Sequence, residues 1–177
     1  MKIQTSKING CLIIETDTFR DHRGLLSKPY CLKSFSQAGV DFIPAEFFYS
    51  TSTKNTLRGM HYQKDPNQIQ KLIFCSAGSL LDVWLDLRKA SPTYGHFDYT
   101  ELHVNSGKAV LIPEGIAHGF FCYQEDTTAC YLQSGPFEPA SDTGILWNSF
   151  GMNWPDSQPL LSERDQSFVS FDRYDVS

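Results

Sequence analysis

The chain is divided into many short apolar segments, each about five to ten residues long and rich in Val, Ile, Leu, Phe, Tyr and Thr, with Gly or Pro between them. Segments of this kind, bounded by turn-forming residues, are typical of β-strands. Many short strands favour a sandwich or barrel, because these architectures bury one face of each strand. The chain is therefore predicted to be mainly β, with strands at 11–15, 46–51, 70–75, 79–87, 97–104, 108–112, 118–123 and 128–133.

Helix signals are scarce. Residues 32–38 form one short helical candidate that ends at Gly39, where a left-handed cap is expected. A second start signal lies near the C-terminus, where Ser162 can act as N-cap with Asp165 three residues later. This capping pattern is by itself a sufficient structural reason for Asp165. We expect only a few short helices, mostly near the C-terminus.

One predicted strand alternates strictly between two kinds of side chain. Segment 79–88 places apolar residues on one face and polar residues plus one Trp on the other; the two sets are Leu81, Val83, Leu85 and Leu87, and Asp82, Trp84, Asp86 and Arg88. The polar face is either solvated or functional. A large ring between two carboxylates is unusual on a purely solvated face.

Size and charge narrow the function classes. The 177 residues, 41% of them apolar, fit one globular domain spanning 1–177. A net charge of −5 provides no global positive field for a nucleic-acid backbone. No segment approaches the ~20 apolar residues of a membrane span, and the five cysteines are odd in number with no C-x-x-C pair. We expect a soluble, cytoplasmic protein without disulfides.

Segment 57–63, LRGMHYQ, crowds a cation, a glycine, an imidazole and a phenol into one predicted strand. On a regular strand Arg58 and His61 point to opposite faces. Both can line one pocket only if Gly59 permits a bulge or twist. His61 alone is either a hydrogen-bonded structural histidine or a base.

Three further side chains are candidates on similar grounds. Lys71 precedes an apolar run, and a buried ammonium is costly unless it is paired or used; Asp82 is a plausible partner. Tyr131 lies in a strand-like segment and is either a core residue or an acid. His118 follows the turn at 113–115, which would place it at a barrel mouth.

A metal site is not predicted. Paired imidazoles two residues apart on one strand face are a natural ligand set in β-barrels, but His61 is followed by Tyr62 and Gln63. The spacing of His96, His103 and His118 does not single them out as ligands.

Read in order, these segments resemble one known family, the dTDP-4-dehydrorhamnose 3,5-epimerases, which are cupin-fold jelly rolls. The matching motifs cover nearly the whole chain: FRDHRG at 19–24, LRGMHYQ at 57–63, QKLIFC at 70–75, DVWLDLRKASPTYG at 82–95, IPEGIAHGF at 112–120, GILWN at 144–148, WP at 154–155 and LSERD at 161–165. The resemblance implies epimerisation of a nucleotide-diphospho-4-keto-6-deoxyhexose at carbons 3 and 5 in deoxysugar biosynthesis. It implies no metal or redox cofactor.

The resemblance also implies roles for individual residues. His61 matches the base, Asp165 the carboxylate that pairs with it, Lys71 the cation facing the ketone oxygen, and Tyr131 the proton donor on the far face. Further matches are to substrate contacts: Arg23 and Arg58 to a diphosphate clamp, and His118, Asp142 and Arg164 to other positions, the last two exchanged for the usual Glu and Lys.

Departures from the family are concentrated in the nucleotide half of the site. The family commonly has Glu where this chain has Lys28, Gln where it has Glu46 and Asn where it has Phe48. These positions touch the base, ribose or sugar in relatives, so Lys28 and Glu46 are further expected substrate contacts and the nucleotide stays open among dTDP, CDP and GDP. Members commonly form homodimers that exchange N-terminal strands, so Arg23 and Lys28 are expected to serve a neighbouring pocket.

The same residues are compatible with other functions. Epimerisation at carbon 3 or carbon 5 alone needs the same base. Ketoisomerisation on a cupin fold is disfavoured by the presence of Tyr131. A non-catalytic sugar-nucleotide-binding cupin is disfavoured because binding alone does not require a base, its partner carboxylate and an acid.

Overall fold

The computed structural model describes residues 1–174, and strands predominate in it. The strands are β1 (Lys2–Thr5), β2 (Leu12–Glu15), β3 (Thr18–Asp21), β4 (Gly24–Ser27), β5 (Glu46–Ser52), β6 (Leu57–Gln63), β7 (Lys71–Ala77), β8 (Ser79–Asp86), β9 (Phe97–His103), β10 (Lys108–Ile112), β11 (Ile116–Cys122), β12 (Thr127–Gln133) and β13 (Asp142–Gly144). The predicted strands are all present; those at 57–63 and 108–112 have the predicted bounds, and the others have shifted ends. The predictions missed the short strands β1, β3, β4 and β13.

The helices are short. Helix α1 (Leu32–Gln37) is followed by Gly39 at φ +73°, the left-handed conformation that the sequence predicts there. Helix α2 (Glu163–Gln166) begins after Ser162, whose hydroxyl accepts the Asp165 N–H at 3.0 Å. A 3₁₀ turn follows at Phe171–Arg173. No helix within residues 1–174 has the length and apolar character needed to cross a membrane.

Two antiparallel sheets form the jelly roll. One has the order β1-β2-β10-β7-β12-β5, and the other has the order β13-β6-β11-β8-β9. Strands β3 and β4 form a separate hairpin. Apolar side chains from both sheets, such as Ile73, Val110 and Phe120, pack together between them. The prediction of a mainly β, cupin-type jelly roll is confirmed.

Both outer faces of the sandwich are also covered. Phe35 and Phe42, from α1 and the segment after it, pack on the outer face of the larger sheet. Ile145, Phe150 and Met152, from the C-terminal part of the chain, pack on the outer face of the smaller sheet. Central strands therefore have two buried faces, and apolar residues occupy both.

Strand β8 shows the consequence for its acidic face. Asp82, Trp84 and Asp86 are each fully buried, so the interpretation of this face as solvated is wrong. The Asp86 carboxylate accepts hydrogen bonds from Arg88, Ser91 and Thr93. A buried carboxylate is tolerated when it has such partners. On the face turned toward the larger sheet, Trp84 thus packs in the apolar core between two buried carboxylates.

Candidate active site

A cavity of about 400 Å³ opens between the two sheets at one end of the sandwich. This volume is in the range of small-ligand sites. Polar and aromatic side chains line it, most of them from the two sheets: Glu46, Phe48, Ser50, Arg58, His61, Lys71, His118, Phe120, Tyr131, Gln133, Phe137, Asp142 and Arg164. Eight of these were singled out in the sequence as site residues, and Phe48 as a departure from the family.

The larger sheet contributes its lining residues in rows. Glu46, Gln133 and Lys71 are direct cross-strand neighbours on β5, β12 and β7. Two residues along each strand, Phe48 and Tyr131 form the next row with Ile73. Side chains two apart on a strand share a face, so both rows face the cavity or its floor. The register therefore gives the pocket a polar row at one level and, beneath it, a row of two aromatic rings and Ile73.

The smaller sheet positions Arg58 and His61 through a bulge. His118 and Phe120, two residues apart on β11, pair with His61 and Arg58, three residues apart on β6. The extra residue allows Arg58 and His61 to line the same cavity. Gly59, within the bulge, has φ +134°, and a Cβ there would lie 2.5 Å from the Gly119 Cα. The irregularity that the sequence required at Gly59 is present.

His61 is held by a buried carboxylate. Its Nε2 lies 2.8 Å from Asp165 Oδ1, and the other oxygen of Asp165 accepts the Gly59 N–H at 3.1 Å. Burial raises the pKa of Asp165, but the hydrogen bonds and the neighbouring imidazole lower it by more, so the pKa lies below its usual value. An ionised Asp165 favours the tautomer with the proton on Nε2, which leaves Nδ1 as an acceptor.

Lys71 is a buried cation beside the cavity. Its exposure is 8%, and burial lowers its pKa to about 8, against the opposing effect of Asp142. The carboxylate that acts on Lys71 is therefore Asp142, and the prediction of Asp82 as its partner is wrong. Asp142 also forms an ion pair with Arg164, with 2.5 Å between Oδ2 and Nη2.

Tyr131 is buried on the opposite sheet from His61. Its ring stacks on Phe48, with 4.7 Å between centroids and an interplanar angle of 11°. Burial raises the pKa of Tyr131 well above its usual value, and Asp82 adds to the effect, while Ser50 and Arg58 oppose it. The phenol therefore keeps its proton at neutral pH.

His118 and Asp82 form a second buried pair. His118 Nε2 lies 2.7 Å from Asp82 Oδ1, and neither side chain is more than 5% exposed. The His118 ring lies edge-on to Tyr131 at 5.9 Å. Asp82 lies on β8, the strand next to β11, and its charge acts on the Tyr131 phenol.

Two predicted substrate contacts lie elsewhere. Arg23 is at the tip of the β3–β4 hairpin, where its exposed guanidinium pairs with Asp21, and Lys28 is exposed just beyond β4. Neither lines the cavity of its own chain. Arg58, in contrast, lines the cavity and donates from Nε to Ser52 Oγ at 2.9 Å.

The sequence interpretation missed four lining residues. Ser50, Phe120 and Gln133 each lie two positions from a residue that was singled out on the same strand, so the period-two rule could have found them. Phe137 lies outside the strands, and no local pattern points to it. Within residues 1–174, no group of three His, Cys, Asp or Glu side chains is arranged to hold a metal ion.

Chemically, the cavity places an acceptor nitrogen and a phenol on facing sheets, with an ammonium beside them. This set can remove a proton from a carbon, stabilise negative charge on a neighbouring oxygen and supply a proton from the other side. Such a combination suits isomerisation at a carbon next to a carbonyl group.

Comparison with known proteins gives the class and then the family. Residues 5–173 match the family model described as dTDP-4-dehydrorhamnose 3,5-epimerase. The protein of that name from Shigella flexneri is 35% identical, with 98% of this chain and 99% of the relative covered. The chain is thus a cupin-fold isomerase. It belongs to the dTDP-4-dehydrorhamnose 3,5-epimerase family.

The family includes relatives of related activity and solved structures with bound sugars. A dTDP-4-dehydrorhamnose 3-epimerase from Streptomyces niveus is 36% identical over 94% of this chain and 82% of its own. The structure of the 3,5-epimerase from Legionella pneumophila, in complex with dTDP-4-keto-L-rhamnose, has a TM-score of 0.92 at 28% identity. That comparison covers 98% of this chain and 94% of the other.

Proposed function

We propose that this protein epimerises a dTDP-linked 4-keto-6-deoxyhexose at carbons 3 and 5, as a step in the biosynthesis of a rhamnose-like deoxysugar. The observation that carries the proposal is the arrangement of the His61–Asp165 pair and Tyr131 on facing sheets of one cavity. Inversion at carbon requires a proton to leave from one face and another to arrive on the opposite face. A base and an acid on facing walls meet this requirement.

In the first step, His61 Nδ1 accepts the proton from a carbon beside the ketone. The C–H electron pair forms the enolate C=C bond, and the carbonyl π electrons move to oxygen. Asp165 stabilises the imidazolium that results. Lys71 donates a hydrogen bond to the developing oxyanion, where a buried ammonium is most effective because little water competes.

In the second step, the Tyr131 hydroxyl donates its proton to the opposite face of the same carbon, and the oxyanion electrons restore the ketone. The phenolate and the imidazolium then return to their resting states by exchanging protons with solvent. Burial makes the phenolate unfavourable, so its reprotonation is strongly driven. Repetition at the second flanking carbon completes double epimerisation.

The nucleotide and diphosphate require separate contacts. Arg58 and Arg164 are the guanidinium groups on the cavity wall, and forked guanidinium groups suit phosphate oxygens. The relative from Legionella pneumophila binds a dTDP-linked ketosugar, and this favours the same nucleotide here. The relative from Streptomyces niveus favours a second candidate, epimerisation at carbon 3 alone.

We also infer a homodimer with exchanged N-terminal strands. Strand β5 ends the larger sheet, and Phe47 and Tyr49 on it are about two-thirds exposed, at 59% and 65%. An exposed apolar edge strand favours pairing with another strand. Exchange would bring Arg23 to the neighbouring pocket.

The five free cysteines favour action in the reducing cytoplasm.

The test is to count deuterium in the product. We expect wild-type protein in D₂O to incorporate two deuterons into dTDP-4-keto-6-deoxyglucose, one at each flanking carbon. Parallel CDP- and GDP-linked substrates determine nucleotide preference. His61→Ala, checked for folding by circular dichroism, should incorporate neither. One deuteron in the wild type would establish the single-site alternative, and none with any nucleotide would overturn the proposed enzyme.

A further inference from the structure

Gln133 is a buried amide in the cavity wall whose side chain makes no hydrogen bond to the described residues. Its exposure is 4%, and its Oε1 is fully buried without a partner. It lines the cavity that contains His61 and Tyr131. A buried amide oxygen without a donor is unfavourable, and such groups are rare in folded proteins. The side chain lines the cavity, so a half-turn of its amide about the roughly two-fold terminal torsion can present Oε1 to a ligand that supplies the donor.

The neighbours of Gln133 restrict which ligand group that is. Gln133 lies between Lys71 on β7 and Glu46 on β5, each its direct cross-strand partner. Directly opposed side chains have Cβ atoms about 5 Å apart. Glu46 Oε2 accepts the Phe137 N–H at 2.9 Å, so one oxygen of that carboxylate is already engaged. The atom that meets Gln133 is therefore close to the atom that meets Lys71.

We propose that Gln133 binds the hydroxyl on carbon 3 of the sugar and is a specificity-determining residue. The inference rests on the proposed function, in which Lys71 meets the ketone oxygen at carbon 4. Ketone and diphosphate oxygens have no proton to donate to Oε1, whereas a sugar hydroxyl does. Of the two carbons beside the ketone, only carbon 3 carries a hydroxyl. Either end of the amide can serve this group, since a hydroxyl both donates and accepts.

The test combines Gln133→Leu with a 3-deoxy analogue of the dTDP-4-keto-6-deoxy sugar. The readout is the rate of deuterium incorporation at the carbons beside the ketone. Wild type should prefer the hydroxylated substrate by about ten- to hundredfold in kcat/KM, because the analogue leaves a buried amide unpaired. Gln133→Leu should lose that factor on the hydroxylated substrate and process the two substrates about equally.

Further variants distinguish a binding role from a structural one. Gln133→Met, which keeps the length and removes the amide, serves if the Leu variant unfolds, and the exposed Gln158→Leu is the matched control. Equal losses on both substrates, or an unchanged preference for the hydroxylated one, would overturn the inference.

The inference can also be tested if the proposed activity fails. Should wild type incorporate no deuterium, calorimetric binding of dTDP-6-deoxyglucose and its 3-deoxy form to wild type and Gln133→Leu measures the same preference. Weaker binding of the 3-deoxy form by wild type alone would support the contact. Equal affinities in wild type would overturn it.

Discussion

Individual side chains at the site have protonation states that follow from burial and partners. Lys71 is buried beside Asp142, and Asp165 is buried against His61 and the Gly59 N–H. Burial disfavours the charged form of Lys71 more than Asp142 favours it. The hydrogen bonds and the imidazole favour the charged form of Asp165 more than burial disfavours it. Of these groups, Lys71 has a pKa close enough to neutrality to limit activity at moderately alkaline pH.

The lowered pKa of Lys71 predicts that catalysis falls off at alkaline pH. Its pKa of about 8 means that the ammonium is present below pH 8 and is lost as the pH rises through that value. We expect kcat/KM for deuterium exchange to fall above this pH, because the pH dependence of kcat/KM reports the pKa values of the free enzyme. Lys71→Arg should be slower but should lose the limb near pH 8, because a guanidinium stays charged. A limb that remains in this variant would assign it to another group.

The same lysine has the opposite effect on stability. An unfolded lysine titrates near pKa ~10.4. Between pH 8 and that value the unfolded chain binds a proton that the folded chain has released, so the free energy of unfolding should rise with pH. Urea unfolding of wild type and Lys71→Met across this range checks the sign. A free energy of unfolding of wild type that falls with rising pH in this range, relative to that of Lys71→Met, would contradict this sign.

Most of the site residues and the His61–Asp165 pair could be selected from the sequence, but the carboxylate partner of Lys71 could not. The motifs at 57–63 and 70–75 locate His61 and Lys71, the family resemblance adds Tyr131, and the period of two extends the set to Gln133. Which carboxylate meets Lys71 depends on how distant strands align. The sequence suggested Asp82, which binds His118 instead, and Asp142 comes from the short strand β13.

At the scale of elements, the β6 bulge determines what the site contains. The predicted strand at 57–63 is present, but only the extra residue relative to β11 allows Arg58 and His61 to line one cavity. The position of Gly59 between Arg58 and His61 indicated that a bulge was needed there. It could not provide the geometry, because the close approach of Gly59 to Gly119 depends on a strand far along the chain.

We therefore expect Gly59→Ala to lower both stability and activity strongly. Gly24 is a matched control, because it has a similar φ of +125° but open space around its Cβ position, whereas a Cβ on Gly59 meets backbone at 2.5 Å. We expect Gly24→Ala to lower the free energy of unfolding by about 1–2 kcal/mol, and Gly59→Ala by about 2 kcal/mol more, with loss of exchange activity. Equal destabilisation in urea titrations would show that the close approach is unimportant.

At the scale of the whole molecule, strand content and caps were predictable, whereas strand order was not. The apolar segments and Gly39 indicated a mainly β chain and the end of α1. The order of strands in the two sheets requires pairing between residues far apart in sequence, and single-strand patterns do not encode this. The short strands β3 and β4, which carry exposed residues, lacked a clear apolar signal.

Strand exchange predicts complementation between inactive variants. If Arg23 serves the neighbouring pocket, a mixed dimer of His61→Ala and Arg23→Ala chains contains one pocket with both native residues. Random mixing by co-refolding should restore about one quarter of wild-type exchange activity, since half of the dimers are mixed and each has one complete pocket. Activity no greater than the sum of the separate variants would place Arg23 outside the neighbour's site.

Inversion in this site requires a base and an acid that act on one carbon from facing sheets. Tyr131→Phe in D₂O tests it most directly, with deuterium content and configuration at the reacting carbons read by NMR. His61 is 29% exposed in its side chain and can exchange its proton with solvent. We therefore expect deuterium to enter with retained configuration while the inverted product forms at least about a hundredfold more slowly. Equal loss of exchange and inversion, or inversion at the wild-type rate, would contradict the account.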